Sequence, residues 1–356
     1  MKRSNNGADD AGARPKGGRT DRVFTVPSHR ELKQREKTRF SQPQQVSGFS
    51  KFYDGRVQFD RSLLKRLRKS AALGSDLLVG LETFEEPPST APIEHIVDAM
   101  LRAHSQQHNT TNAATPAPIF NVVTYRNNLN KIMGVNTPYN TNSPYSFHVQ
   151  RAHGCIYLNV HQLPPTYATN QYQSHAAYAG RRYETISTAE SSGDGEYCGV
   201  FSVSLGQKKI LVGAELDGLD EDGTYVELKT YRLLQTPKDR MSFERYKLLA
   251  FWIQSYVVGV PQIRVGFRDD DFRLTKEQTL STTQLPRFGA AYWDSNVCLN
   301  FADMFLNWLL EQDIPEESVH VVDYNPRFKE LSLRQTQDPC FLTSTLSTHL
   351  EFENRN

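Results

Sequence analysis

The stretch GAELDGLDEDGTYVELKT, residues 213–230, crowds carboxylates together and raises the question of what they face. Read as two short strands and a turn, it puts Glu215 and Asp217 two apart on the first strand and Glu227 and Lys229 two apart on the second, so each pair shares a face. Ile210, Val212, Ala214 and Leu216 take the other face of the first strand, and Val226 and Leu228 that of the second. If both apolar sets enter one core, the hairpin pairs residues whose numbers sum to an even value; the register 215 with 227 and 217 with 225 satisfies this. Glu215 then lies opposite Glu227, with Cβ atoms roughly 4.5–5.5 Å apart, an arrangement that destabilises a sheet when both are charged. Something positive is required there, and Lys229 and a metal ion are the two candidates.

Hard divalent cations take oxygen ligands, and Mg²⁺ is held by a few carboxylates that leave positions for water and phosphate. The spacing D-x9-E-x-K, formed by Asp217, Glu227 and Lys229, resembles that of a PD-(D/E)xK nuclease core, in which acids hold the metal and the lysine faces the scissile phosphate. A solvated acidic hairpin is the plain structural alternative, and the triad alone does not choose between the two. An EF-hand calcium loop is excluded, because its spacing would put Lys229 where the last, bidentate glutamate belongs.

The chain has 356 residues, enough for one large domain or two ordinary ones. A hydrophobic content of 38% allows a sizeable core, and a net charge of +1 supplies no global field, so any binding of nucleic acid must come from local patches. Cys155, Cys198, Cys298 and Cys340 have no C-x-x-C spacing, which argues against a zinc site or a disulfide scaffold and for a reducing compartment. The first residues are polar and lack the apolar core of a signal peptide. The longest apolar segment, LLAFWIQSYVVGV, is too short to span a bilayer, so a soluble protein is expected.

Residues 1–45 carry 11 Lys and Arg against 5 Asp and Glu with almost no apolar pattern, and are expected to be a disordered basic tail before a single catalytic domain over 46–356. Stretches near 105–118, 135–145 and 162–175 read as surface loops. GCIYLNVHQL, YCGVFSVSL, KKILVGAELD, TYVELKT and PQIRVGFRD read as strands, and helices are expected at about 92–104, 242–258 and 298–312. Ser242 is the expected N-cap of the second helix and Gly259 its end, with Lys247 and Gln254 on one face. The irregular order predicts an α+β (mixed α/β) fold, a mixed β-sheet core flanked by helices, rather than a doubly wound parallel sheet.

Several motifs taken together resemble the DXO family of decapping nucleases over about residues 46–345: VTYRNNLNKI around Arg126, GRRYE ending at Glu184, GAELD with Glu215 and Asp217, VELKT with Glu227 and Lys229, and the long segment around Gln254. The resemblance implies that Glu184, Glu215, Asp217, Glu227 and the backbone carbonyl of Leu228 surround one or two Mg²⁺ or Mn²⁺ ions. It also implies that Arg126, Lys229 and Gln254 face RNA, and that RNA 5′ ends, capped or uncapped, are the partner. The implied activity is removal of aberrant or non-standard caps as a unit with 5′→3′ trimming, and in some members release of pyrophosphate from triphosphate ends. One departure is Arg181, which stands where the family's G-x-x-x-E motif usually has a hydrophobic residue.

Two other readings compete: a catalytically weak binding protein that stabilises another 5′→3′ exoribonuclease, and a DNA nuclease on the same core. The complete acid set favours chemistry, and the longer motifs favour RNA. A monomer that acts without a stable protein partner and away from membranes is expected. The tail lacks a dense basic run, which leans toward the cytoplasm, with the nucleus as the alternative.

Overall fold

The computed structural model describes residues 22–86, 92–108, 119–134, 143–161, 170–189 and 193–342. The chain begins with β1 (Arg22–Thr25), α1 (His29–Gln34), β2 (Gln44–Phe52), β3 (Val57–Gln58), α2 (Glu94–His108), β4 (Val122–Tyr125) and α3 (Arg126–Gly134). It continues through β5 (Tyr145–Ala152), β6 (Cys155–His161), α4 (Gln171–Ser187), β7 (Gly195–Leu205), β8 (Lys208–Glu215), β9 (Gly218–Leu219) and β10 (Tyr225–Arg232). Then follow α5 (Pro237–Ser242), α6 (Leu248–Tyr256), β11 (Gln262–Arg268), β12 (Leu274–Ser281), α7 (Leu285–Phe288), α8 (Ser295–Leu310), β13 (Val319–Asn325) and β14 (Glu330–Gln335). Among the described residues no helix is long and apolar enough to cross a membrane.

Among the described residues ten strands make one mixed sheet in the order β1-β14-β13-β5-β6-β4-β8-β7-β2-β3, and four make a second in the order β12-β11-β10-β9. The expected mixed sheet flanked by helices is present, and the five strand segments read from β-branched and aromatic content are β6, β7, β8, β10 and β11. β8 runs parallel to β4 and antiparallel to β7, so it is central and buried on both faces. Ile210, Val212, Ala214 and Leu216 join the main core with Leu129 and Ile132 of α3, Trp252 of α6 and Phe305 of α8. Leu211 points the other way, into a second core with Ile96, Val97 and Met100 of α2. Val226 and Leu228 belong to a third core, with Ala179 and Tyr183 of α4 and Leu274 of β12.

That partition corrects the hairpin. The two apolar sets enter different cores, because β8 belongs to the large sheet and β10 to the small one. What pairs with β10 is the two-residue β9, in the register Tyr225 with Leu219 and Val226 with Gly218. Continued one step, that register sets Asp217, not Glu215, across from Glu227.

The basic tail is corrected as well, since the described part of residues 1–45 is folded; residues 1–21 lie outside the described residues. β1 pairs with β14, and Phe24 packs on Phe301, Phe305 and Trp308 with ring centroids 6.1, 5.8 and 5.5 Å away. Leu32 is fully buried, and Asn300 of α8 holds this arm by donating to the Leu32 carbonyl and accepting from the Thr38 N–H, both at 2.9 Å.

The helix expected at 242–258 starts earlier. Thr236 is the N-cap of α5, with a reciprocal bond from Asp239 and Pro237 in the first turn, so T-P-K-D is a capping box that opens the helix before Ser242. One π-helical turn, Phe243–Lys247, joins α5 to α6. Of the expected loops, 109–118, 135–142 and 162–169 lie outside the described residues; α2 extends to His108 and α4 begins at Gln171.

We expect Leu32→Ala to cost about 2–5 kcal/mol, the usual range for a buried leucine, read from the urea midpoint. A chain beginning at Ser41 should lose at least as much. Unchanged midpoints in both would mean that the arm only lies on the surface.

Candidate active site

The acids lie on a seam between the two sheets. β8 ends at Glu215, the Leu216 N–H closes on the Tyr197 carbonyl at 3.0 Å, and by Gly218 the chain is paired in the small sheet. A side chain at 218 would be crowded, because a Cβ there would sit 3.0 Å from the Lys65 carbonyl oxygen and closer still to Leu67, and both would have to give. Asp217 is therefore carried across the gap by a tight backbone passage. Its Oδ2 accepts from the Leu228 N–H at 2.6 Å, which ties the seam to β10.

Glu227 is the most enclosed of these acids, at 1% exposure. Three donors from three elements converge on it. Lys229 Nζ donates to Oε1 at 2.6 Å, Gln254 Nε2 to the same oxygen at 2.5 Å, and Arg126 Nη1 to Oε2 at 3.1 Å. Arg126 also donates from Nη2 to the Glu215 carbonyl at 3.0 Å. The residues expected to face RNA thus hold Glu227 as well. Arg126 is brought there because β4 passes directly into α3, and Gln254 because it lies on the inward side of α6, whereas Lys247 stands over the Tyr231 ring.

Burial drives a carboxylate up and a nearby cation drives it down. For Glu227 burial acts against the charge, yet Arg126 and Lys229 overcome it and hold the carboxyl below its usual range. Asp217 goes the other way: burial raises it well above the usual range, and Glu227 and Glu184 push it further. Glu184, on α4, is raised by burial and by Glu227, with Lys229, Lys65 and Arg181 opposing. Lys229 is raised despite its burial, because Glu227 and Asp217 favour its charge. Three carboxylates and the lysine thus act on one another, and the upward shifts of Asp217 and Glu184 mark a crowding of acids that the nearby cations do not relieve at those two positions.

This donor set fits a hard divalent cation. All the donors are oxygens, and their mutual repulsion is what a cation would relieve. A carboxylate offers about four lone-pair sites; three donors occupy Glu227, which leaves one on Oε2. Among the described residues no three His, Cys, Asp or Glu side chains are grouped so that they could hold a metal ion as they stand.

Glu215 is set apart from the other three acids. It opens into a cavity of about 650 Å³ that Arg126, Gln254 and Lys131 also line; its side chain reaches solvent there, yet enclosure by the surrounding protein, together with Glu196, pushes its carboxyl up to about 8. Alternate positions of three adjacent strands build this wall: Phe49 and Lys51 of β2, Glu196 and Cys198 of β7, Gly213 and Glu215 of β8. Glu184 lines a different cavity, of about 840 Å³, with Tyr53, Lys65, Arg68, Phe84 and Arg181. The Tyr53 hydroxyl donates to Glu196 at 3.3 Å and so links the two walls. Glu196, Lys51 and Tyr53 were not among the motif residues. A lysine two residues from Phe49 on an inward-facing period was the available signal for Lys51.

Residues 41–347 match the family model described as RAI1 like PD-(D/E)XK nuclease. The chain is 32% identical over 308 residues to the Emericella nidulans decapping nuclease RAI1, which covers 76% of this chain and 82% of that protein. It is 28% identical over 232 residues to the human decapping and exoribonuclease protein, with 58% of each chain covered. Two solved structures share the fold: Scheffersomyces stipitis Rai1, with a TM-score of 0.77, 21% identity and 96% of this chain and 100% of that one covered, and Candida albicans Rai1 in complex with pU5 and Mn²⁺, with a TM-score of 0.77, 19% identity and 94% and 100% covered.

Arg126→Ala leaves a buried carboxylate short of a partner and should cost about 3–5 kcal/mol of stability by urea denaturation, the usual penalty for breaking one side of a buried pair. Adding Glu227→Gln to that variant should recover part of the loss, since the lone charge is then gone. A loss below about 1 kcal/mol for Arg126→Ala, the level of a surface pair, would show that the guanidinium is solvated and not bracing Glu227.

Proposed function

The chain belongs to the RAI1-like PD-(D/E)XK nuclease family, and from that premise we propose that it is a metal-dependent hydrolase of RNA 5′ ends, removing aberrant or non-standard caps as a unit and trimming the uncapped chain 5′→3′. The observation that carries this reading is the seam itself, where Glu184, Asp217 and Glu227 crowd together closely enough to shift one another, with Glu184 lining one cavity and Glu215 another. The names of the relatives agree with it: decapping nuclease for the Emericella nidulans protein, decapping and exoribonuclease protein for the human one.

We assign Glu184, Asp217, Glu227 and the Leu228 carbonyl as the residues that would hold Mg²⁺ or Mn²⁺, with Glu215 facing the site from the first cavity. One or two such ions, when bound, supply an activated water and neutralise charge on the phosphate. The chain's own residues do the rest. Lys229, kept fully charged by Glu227 and Asp217, contributes a fixed positive charge beside the acids. Arg126 and Gln254 line the first cavity and grip Glu227 at once, so they set its orientation while presenting polar edges to a phosphate chain. The positive charge is preorganised and need not reorganise as charge builds up in the transition state. The same reading has the chain act without a protein partner.

Purified protein with Mn²⁺ and RNA labelled at its 3′ end is the direct test. We expect a ladder of progressively shorter labelled species, resistance of circular RNA, and little action on DNA of matching sequence. Glu227→Gln and Asp217→Asn should each lower kcat by about a hundredfold or more, the scale for loss of a preorganised charge at a reacting centre. Prompt cutting of the circle would replace the 5′-end reading with an endonuclease, and wild-type rates in both variants would remove the acids from the chemistry.

A further inference from the structure

Arg181 lies three residues before Glu184 on α4, hence on the same side of the helix. Its guanidinium stands 5.7 Å from the centre of the Phe84 ring and 3.4 Å from Glu86 Oε1. Both contacts are loose. The ring distance is near the outer limit of about 6 Å for a cation–π contact. The pair with Glu86 has side chains 36% and 77% exposed, so solvent and salt screen it. Phe84 itself is 38% exposed, an aromatic ring held edge-on by Tyr178 at 5.0 Å and otherwise reachable from solvent. Both residues line the cavity that holds Glu184, whose volume falls within the roughly 300–1,000 Å³ of small-molecule sites. Lys65 lines it too, and among the described residues its ammonium has no ion pair or hydrogen bond.

An open aromatic face, two loosely held cations and a catalytic acid in one cavity make the chemistry of a nucleotide site: a base can stack on the ring and a phosphate can take the cations. We propose that this second cavity is a nucleotide subsite in which Phe84 stacks a nucleobase and Arg181, with Lys65, holds the adjoining phosphate, so that RNA crosses the seam with its scissile phosphate at the acids. The proposal rests on the reading of those acids as the hydrolytic centre. Glu85 and Asp194, also on this cavity's lining, set a limit on the identity of the ligand: they repel a bare polyanion, so the stacked base is needed for affinity.

The test is steady-state trimming of 5′-monophosphorylated RNAs of graded length by the full chain with Mn²⁺. Phe84→Ala and Arg181→Leu should each raise KM by about tenfold, within the range for loss of one stacked base or one charge-assisted contact, with kcat unchanged. Phe84→Tyr should behave as wild type. In Arg181→Leu the slope of log KM against log salt should fall by about 0.7, one phosphate contact on a single strand, while Phe84→Ala keeps the wild-type slope. Both side chains are partly exposed, so thermal midpoints should stay near wild type and confirm that the variants are folded. Unchanged KM and salt slope in a wild type that does trim RNA would overturn the subsite alone. If the wild type does not trim RNA, the hydrolytic reading falls first; the subsite is then judged by fluorescence anisotropy of a labelled RNA in Ca²⁺, where equal affinities of wild type and variants overturn it.

Discussion

A carboxylate at 1% exposure is tolerable only if its charge is met, and the structure around Glu227 is arranged by that requirement. Each of its three partners comes from a different part of the chain: Lys229 from β10 itself, Arg126 from the start of α3, Gln254 from α6. The main core packs α3 and α6 against the large sheet, so the hydrophobic burial that fixes those helices also fixes the donors. Tertiary packing here fixes an electrostatic geometry that no local segment could hold alone. The acids are placed before any cation or substrate arrives, which lowers the cost of binding both.

Why the seam exists follows from the strands. β8 is buried on both faces within a mixed sheet, whereas β10 pairs in parallel with β11 in the small sheet and faces α4. A strand cannot serve both sheets, so the chain changes sheet over two residues, and those two are Leu216 and Asp217. Leu216 still belongs to the main core, while Asp217 is already bonded to the backbone of β10. The polar groups of the site collect where pairing is interrupted and backbone passes between layers, with a cavity on either hand.

Much of this was legible in the sequence. Period-2 patterning found β6, β7, β8, β10 and β11, and the E-x-D and E-x-K pairs marked the acids, because both signals are local. Parity also correctly put the charged residues of each strand on the side away from its apolar set. It could not tell which core each apolar set enters, and that is why the predicted pairing of Glu215 with Glu227 gave way to Asp217 across from Glu227. The N-terminal arm was missed because a four-residue edge strand and one leucine carry no periodic signal; Leu32 is recognisable only once α8 is there to cover it. Glu196 escaped for a similar reason: its place beside Glu215 depends on the pairing of β7 with β8, in which Cys198, two residues along, faces Glu215.

Arg126 shows what the motif residues have in common. Its two terminal nitrogens reach different sheets: Nη1 the carboxylate of Glu227 on β10, Nη2 the carbonyl of Glu215 at the end of β8. A planar guanidinium has its donors in a rigid fork, so the two bonds fix a distance and an angle between the sheets, which a lysine ammonium at the same place could not do. The cation therefore acts twice, as the countercharge that lets Glu227 be buried and as the bracket that sets the width of the seam. The position of Glu227 is then set by the protein before any ion enters, and under the proposed assignment Asp217 and Glu184 would be the acids that adjust toward it. Of those two, Asp217 is tied to the Leu228 N–H on a tight passage, whereas among the described residues no hydrogen bond holds the carboxyl of Glu184, which lines an open cavity. Under the proposed assignment Glu184 would be the adjustable ligand, and since its cavity is also lined by Arg181 and Phe84, occupancy of that cavity would bear on the fit of the ion.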